Sequence, residues 1–147
     1  MEIERKFLVK EIPFSLDEYK CRIIEQAYLN TAPVVRIRQD NNDYYLTYKS
    51  KGFLEREEYN LPLDKESYEH LRTKADGIIL TKKRYEIPLN NTLTIELDIF
   101  EGKHAGLILA EVEFSSREEA ENFTAPKWFD ADVTYDPKYC NSNLSKC

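Results

Sequence analysis

Polar and mostly charged side chains recur at alternate positions in seven short segments of this chain. Glu2, Glu4 and Lys6 form the first set. Arg36 and Arg38, Thr47 and Lys49, Arg56 and Glu58, Lys82 and Arg84, Glu96 and Asp98, and Glu111 and Glu113 follow. Alternation puts such residues on one face of a strand. Two carboxylates about 7 Å apart on one face repel and give little to a sheet. They do suit a divalent cation, which takes hard oxygen ligands. Paired arginines suit phosphate, because the planar guanidinium fork matches phosphoryl oxygens. Other chemistries lack material. The chain has two histidines, His70 and His104, far apart, and three cysteines, Cys21, Cys140 and Cys147, with no CxxC spacing. A Ser–His–Asp triad, a His-rich metal site, a thiolate zinc site and a disulfide framework are set aside on that count.

The elements that must position these residues read mostly with period two, the signature of half-buried strands. Strands are expected over 2–9, 22–31, 34–40, 43–50, 53–61, 78–88, 92–100 and 107–115. Turns are expected at Asp40–Asp43, at Gly52 and at Asn90–Asn91. Helices are expected over 65–75, with Asp64 as N-cap, and over 117–123, with Ser116 and Glu119 as a capping box. Short helices are further candidates at 15–19 and 139–146. The fold class is mainly β (α+β), an eight-stranded antiparallel closed barrel or strongly curved sheet with peripheral helices. The charged faces have two readings. In one they are solvent-facing and pair across strands. In the other the sheet closes with its charges inward, as a polar tunnel that holds a metal–polyphosphate complex, with helices covering its apolar outside.

At 147 residues the chain fits one domain, 1–147. Its net charge of −6 argues against a general nucleic-acid binder and against docking on an anionic membrane. The first ten residues do not read as a secretory signal, and no segment has the roughly 20 apolar residues of a membrane span. A reducing cytoplasm is the expected setting.

The order of the motifs narrows the choice. Glu2–Lys6 reads ExExK. Gln26-Ala27-Tyr28-Leu29, Arg36-Ile37-Arg38, Thr47-Tyr48-Lys49, Arg56-Glu57-Glu58, Lys82-Lys83-Arg84-Tyr85 and Glu96-Leu97-Asp98 follow. The stretch from Gly106 to Glu113 and the close from Asp132 to Leu144 complete the series. Over nearly its whole length the chain resembles the CYTH superfamily, the triphosphate tunnel metalloenzymes, in a short bacterial-type form. Two positions depart from the family pattern. Asn60 stands where many members place a second acid, and Asp132 where Glu is usual.

The resemblance implies a metal-dependent hydrolase of triphosphates, foremost of inorganic triphosphate to diphosphate and phosphate. It assigns Glu2, Glu4 and Glu113 to a first Mg²⁺ or Mn²⁺ ion. Glu111 and Asp98 fall to a second ion or its water, and Glu111, Asp98 and Lys6 are the expected catalytic residues. Lys6, Arg36, Arg38, Lys49, Arg56, Lys82 and Arg84 are expected to bind phosphate, with Glu58 in the lumen. A small-molecule triphosphate is the expected partner, and the protein a monomer or homodimer. The rivals are an adenylate cyclase and a thiamine or nucleoside triphosphatase of the same fold, and, in another class, a non-catalytic polyphosphate-binding module. With Glu58 and Glu96 the proposed lumen holds seven acids and seven bases. The excess of −6 then lies wholly outside it, where it serves solubility.

Overall fold

The computed structural model describes residues 1–146; Cys147 lies outside the described residues. Nine strands form one antiparallel sheet: β1 (Glu2–Leu8), β2 (Lys20–Thr31), β3 (Val34–Asp40), β4 (Asp43–Lys49), β5 (Glu55–Arg56), β6 (Glu58–Leu63), β7 (Asp76–Pro88), β8 (Thr94–Phe100) and β9 (Ile108–Glu113). Their spatial order is β5-β1-β9-β8-β7-β2-β3-β4-β6. The two edge strands are consecutive in the chain and separated by Glu57 alone, so the polypeptide itself closes the barrel. The strand expected over 53–61 is thus two strands. Acids on both of its faces left its pairing open, and it changes partner at Glu57. Arg56 pairs with Glu2 of β1, and Glu58 pairs with Lys49 of β4.

The inward-charge reading is the one adopted. Glu2, Glu4, Lys6, Arg36, Arg38, Lys49, Arg84 and Glu111 are buried although charged. The opposite faces of the same strands carry the apolar core. Phe7, Val9, Ile95, Leu97, Ala110 and Val112 form the largest cluster, with Phe14, Phe123, Trp128 and Phe129 laid over it. A second cluster, including Tyr28, Leu80 and Leu109, lies on the inward face instead, next to the charges, and takes in Leu144 of the tail. A third, of Ala27, Ile37 and Tyr68, lies under the first helix.

That helix, α1 (Lys65–Arg72), starts where Asp64 accepts from the Ser67 amide, at 2.6 Å. Tyr68 is its buried anchor and donates from its hydroxyl to Glu25 at 2.9 Å. α2 (Arg117–Glu121) is capped by Ser116, whose Oγ accepts from the Glu119 amide. The reciprocal bond of the expected box runs from the Ser115 amide to Glu119 instead. Arg5 donates to the carbonyls of Ala120 and Phe123, which fastens this segment to β1. Residues 15–19 are not helical. Phe14, Leu16 and Tyr19 pack individually on the core, with Phe14 edge-on to Trp128. The tail forms a 3₁₀ turn (Pro137–Tyr139) and a short helix α3 (Asn141–Leu144). Among the described residues no helix is long and apolar enough to cross a membrane.

Candidate functional site

Strand register assembles the motifs. Antiparallel pairing sets Glu4 beside Glu113 and Lys6 beside Glu111. It also sets Glu96 beside Glu111, Arg84 beside Asp98, and Arg36 beside Thr47. The result is a cavity of about 390 Å³ inside the barrel. Twelve of the fourteen expected lumen residues line it: Glu2, Glu4, Lys6, Arg36, Arg38, Lys49, Arg56, Glu58, Arg84, Glu96, Glu111 and Glu113.

Lys82 and Asp98 do not line the cavity. They lie behind it with no exposed surface, and Asp98 binds inward-facing cations instead of facing the lumen. It accepts from Arg84 Nε at 2.7 Å and Nη2 at 2.8 Å, and Lys82 Nζ stands 2.7 Å away. Burial pushes Lys82 down to about 7, against the pull of Asp98. Burial would raise Asp98, but Arg84 and Lys82 outweigh it and hold the carboxyl below its ordinary range.

The lumen has an acidic side and a basic side. On the acidic side, burial and then the Glu111 and Glu2 carboxylates push Glu4 up to about 8. Burial raises Glu2 as well, although Lys49 donates to both its oxygens, at 3.1 and 3.0 Å. Arg56 stands 3.7 Å from Glu2 and 3.9 Å from Glu4. Burial opposes ionisation of Glu111 too, but Lys6, Arg84 and Lys82 overcome it and hold this acid well below the usual range. Its Oε1 is buried without a hydrogen-bond partner among the described residues.

On the basic side, Arg36 and Arg38 are only 5% and 6% exposed, and no carboxylate lies within 4.0 Å of either among the described residues. Their partners are neutral. Arg38 donates twice to Gln26 Oε1, at 3.1 and 2.6 Å, and Arg36 donates to Thr47 Oγ1 at 3.1 Å. Arg36 Nε is buried and unpartnered. Burial and the neighbouring Arg38 lower the Arg36 pKa. Asn60 contributes here, since Thr47 Oγ1 donates to its Oδ1 at 2.6 Å. A carboxylate at that position would place a negative charge one hydrogen bond from Arg36.

Among the described residues, no three acidic, His or Cys side chains converge to hold an ion. Lys49, Arg56 and Lys6 occupy the space between the carboxylates, at 3.0 to 3.9 Å. The donor chemistry nonetheless fits a hard divalent cation. All donors are carboxylate oxygens, Glu111 Oε1 is an orphaned acceptor, and Glu4 is crowded by two like charges that a cation would relieve.

The tail closes one end. Cys140, Asn141 and Ser142 line the cavity, and Lys6 Nζ donates to the Tyr139 carbonyl at 3.1 Å. His104 contacts the Leu144 carbonyl at 2.8 Å, and the Ile78 amide donates to Ser145 at 2.6 Å. Gly77 makes this approach possible. Its φ is +70°, and a Cβ there would stand 2.1 Å from the Ser145 oxygen. Sequence reasoning took the tail as a motif and missed that it lines the cavity. It also missed Arg22 and Tyr45, which line the opposite end. Arg22 shares its strand face with Lys20, but the strand expected over 22–31 began at Arg22 and so left that pair of like charges unread.

Three comparisons with known proteins accord with this geometry. Residues 1–133 match the family model of the CYTH domain. The chain is 39% identical over 147 residues to an inorganic triphosphatase of Nitrosomonas europaea, covering 98% of this chain and 96% of that one. It is 36% identical over 154 residues to an inorganic triphosphatase of Acetivibrio thermocellus, covering 99% and 93%. A crystal structure of an inorganic triphosphatase superposes with a TM-score of 0.74 at 36% identity, over 100% of this chain and 95% of that one.

Proposed function

This chain belongs to the CYTH domain family, and from that premise we propose that it hydrolyses inorganic triphosphate to diphosphate and phosphate, with a divalent cation. The observation that carries the reading is the pair Arg36 and Arg38. A buried cation without a counter-ion is costly. Two of them side by side, one with an orphaned Nε, mark a place where a ligand supplies the negative charge. A linear triphosphate does so, and its named relatives act on that substrate.

The two sides divide the work. Arg36, Arg38, Lys49, Arg56 and Arg84 grip phosphoryl oxygens from several strands, with Lys82 adding charge from behind. This fixes the in-line geometry that phosphoryl transfer requires. Glu2, Glu4, Glu111 and Glu113 would hold Mg²⁺ or Mn²⁺. Such an ion supplies Lewis-acid polarisation and an acidified water when bound. Glu111, kept ionised by Lys6 and Arg84, offers its unpartnered Oε1 as the acceptor that orients the attacking water. Lys6 bridges the two functions, because it stands 3.8 Å from Glu111 and is fixed by the tail carbonyl. Asp98 keeps Arg84 charged and aimed, and it opposes the loss of the Lys82 proton that burial favours. One water is consumed, one anhydride bond breaks, and its proton leaves with the products.

The test is product analysis by ion chromatography with inorganic triphosphate, ATP and thiamine triphosphate, with and without Mg²⁺ or Mn²⁺. Equal amounts of diphosphate and phosphate from inorganic triphosphate, abolished by chelator, are expected. Cyclic AMP from ATP, or tight binding without turnover, overturns the reading.

A further inference from the structure

Arg22 of β2 lies in register with Arg84 of β7, at the end of the cavity away from the tail. Its Nη1 donates to Asp40 Oδ2 at 2.6 Å. Its Nη2 stands 3.5 Å from Glu96 and 4.0 Å from Glu86. Its Nε is buried and has no partner among the described residues. Carboxylates therefore fix this guanidinium while one donor stays unspent beside the lumen.

The two ends of the cavity differ. The tail seats Cys140, Asn141 and Ser142 at one end, beside Lys6 and Tyr28. At the other, Asn60 and Glu113 are exposed. An organic group attached to a triphosphate would extend toward this exposed end, past Arg22. We propose that Arg22 is a substrate-binding and specificity residue. It receives the phosphoryl group nearest the open end and favours a free terminal phosphoryl over one esterified to an organic group. This rests on the triphosphatase reading above.

The chemistry of the two ends of substrate supports that role. A free terminal phosphoryl has three non-bridging oxygens and approaches two negative charges, as a phosphate monoester does near neutral pH. An esterified one has two such oxygens and a single charge. A guanidinium gains more from the first. Asp40, Glu86 and Glu96 are fixed charges that an organic group would have to desolvate without recompense, while their own repulsion of a phosphoryl group is offset by Arg22 and Arg84, the cations they pair with.

The experiment uses the full chain with Mg²⁺, and reads KM and kcat for inorganic triphosphate and the inhibition constant of ATP. In Arg22→Ala, kcat/KM for inorganic triphosphate should fall by about 10- to 100-fold, the range for one charge-assisted hydrogen bond. Most of the change should fall in KM, and the ATP inhibition constant should move by less than about threefold. Arg22→Lys, which keeps the charge and loses the fork, should fall between the two and guards against a misfolded alanine variant. Equal weakening toward both ligands in both variants overturns the proposal and makes Arg22 a structural tie to Asp40. Unchanged kinetics also overturn it. A wild-type protein that releases no phosphate from inorganic triphosphate overturns the triphosphatase reading and this one together. Wild-type turnover with an unaltered preference in the variants overturns the Arg22 role alone.

Discussion

Replacing Asp98 with Asn separates a counter-ion from a cation ligand. The carboxylate has no exposed surface, accepts from Arg84 Nε at 2.7 Å and Nη2 at 2.8 Å, and forms an ion pair with Lys82 Nζ at 2.7 Å. Asn keeps the shape, but it loses the charge and turns one acceptor into a donor that faces another donor. Removing one partner of a buried ion pair costs about 3–5 kcal/mol. Lys82 softens the loss. Its pKa is already pushed down to about 7, so without Asp98 it sheds its proton, and one buried cation remains instead of two. The lower end of the range, about 3 kcal/mol, is therefore expected. For a chain of this size that corresponds to a melting temperature lower by about 6–12 °C. The pH dependence has a defined sign. Asp98 is depressed in the folded state, so its stabilisation is full above the unfolded carboxyl pKa and is lost as pH falls through the lower, folded value. The gap between wild type and variant should hold near neutrality and close in acid. The assay is urea and thermal unfolding in chelator. A loss under about 1 kcal/mol, or one seen only with Mg²⁺ and gone in chelator, would refute the counter-ion role.

Glu4→Gln should lower metal-dependent turnover by about 100-fold or more and leave the fold intact; near-normal turnover would remove Glu4 from the cation site. Because the wild-type Glu4 pKa is raised to about 8, the metal-free protein should lose stability as pH rises from about 4.5 through 8. Thermal melts in chelator should show that slope in wild type and a flatter one in the variant. Arg38→Ala should lower kcat/KM by about 10- to 100-fold. Its ligand-free melting temperature should change little, because relief of repulsion with Arg36 offsets the two lost bonds to Gln26. Gly77→Ala should cost about 1–2 kcal/mol from left-handed strain alone. It should also push Ser145 away, so that limited proteolysis cuts the 139–146 segment sooner than in wild type.

Local pattern made the inward face legible wherever like charges alternate. The pairs Arg36/Arg38 and Glu111/Glu113 could be read without knowing their neighbours. β2 shows the limit. After Lys20 and Arg22 the same face continues with Ile24, Gln26 and Tyr28, a hydrocarbon, an amide and a phenol, so no parity stands out over 22–31. Gln26 is fully buried as the neutral partner of Arg38, a role set by a residue 12 positions away. Asp98 shows a second limit. Alternation placed it on the correct face but gave no depth. Two cations from the adjacent strand draw it behind the lumen. The break at Glu57 and the failure of 15–19 to form a helix have one cause. Partners distant in the chain decide both, since β1 and β4 divide 53–61 between them and the aromatic cluster around Trp128 claims Phe14 and Tyr19.

The pairing of β1 with β9 also governs when a newly made chain can acquire its site. Glu4 and Lys6 are synthesised more than a hundred residues before their cross-strand neighbours, Glu113 and Glu111. Until the ribosome has extruded more than a hundred further residues, the opening motif has no opposing acids and its strand no ladder on that side. Contacts of such separation make folding slow and defer it until β9 has emerged. Nascent or truncated chains that lack β9 should therefore be inert as well as unstable, and they would present a bare strand edge to other chains.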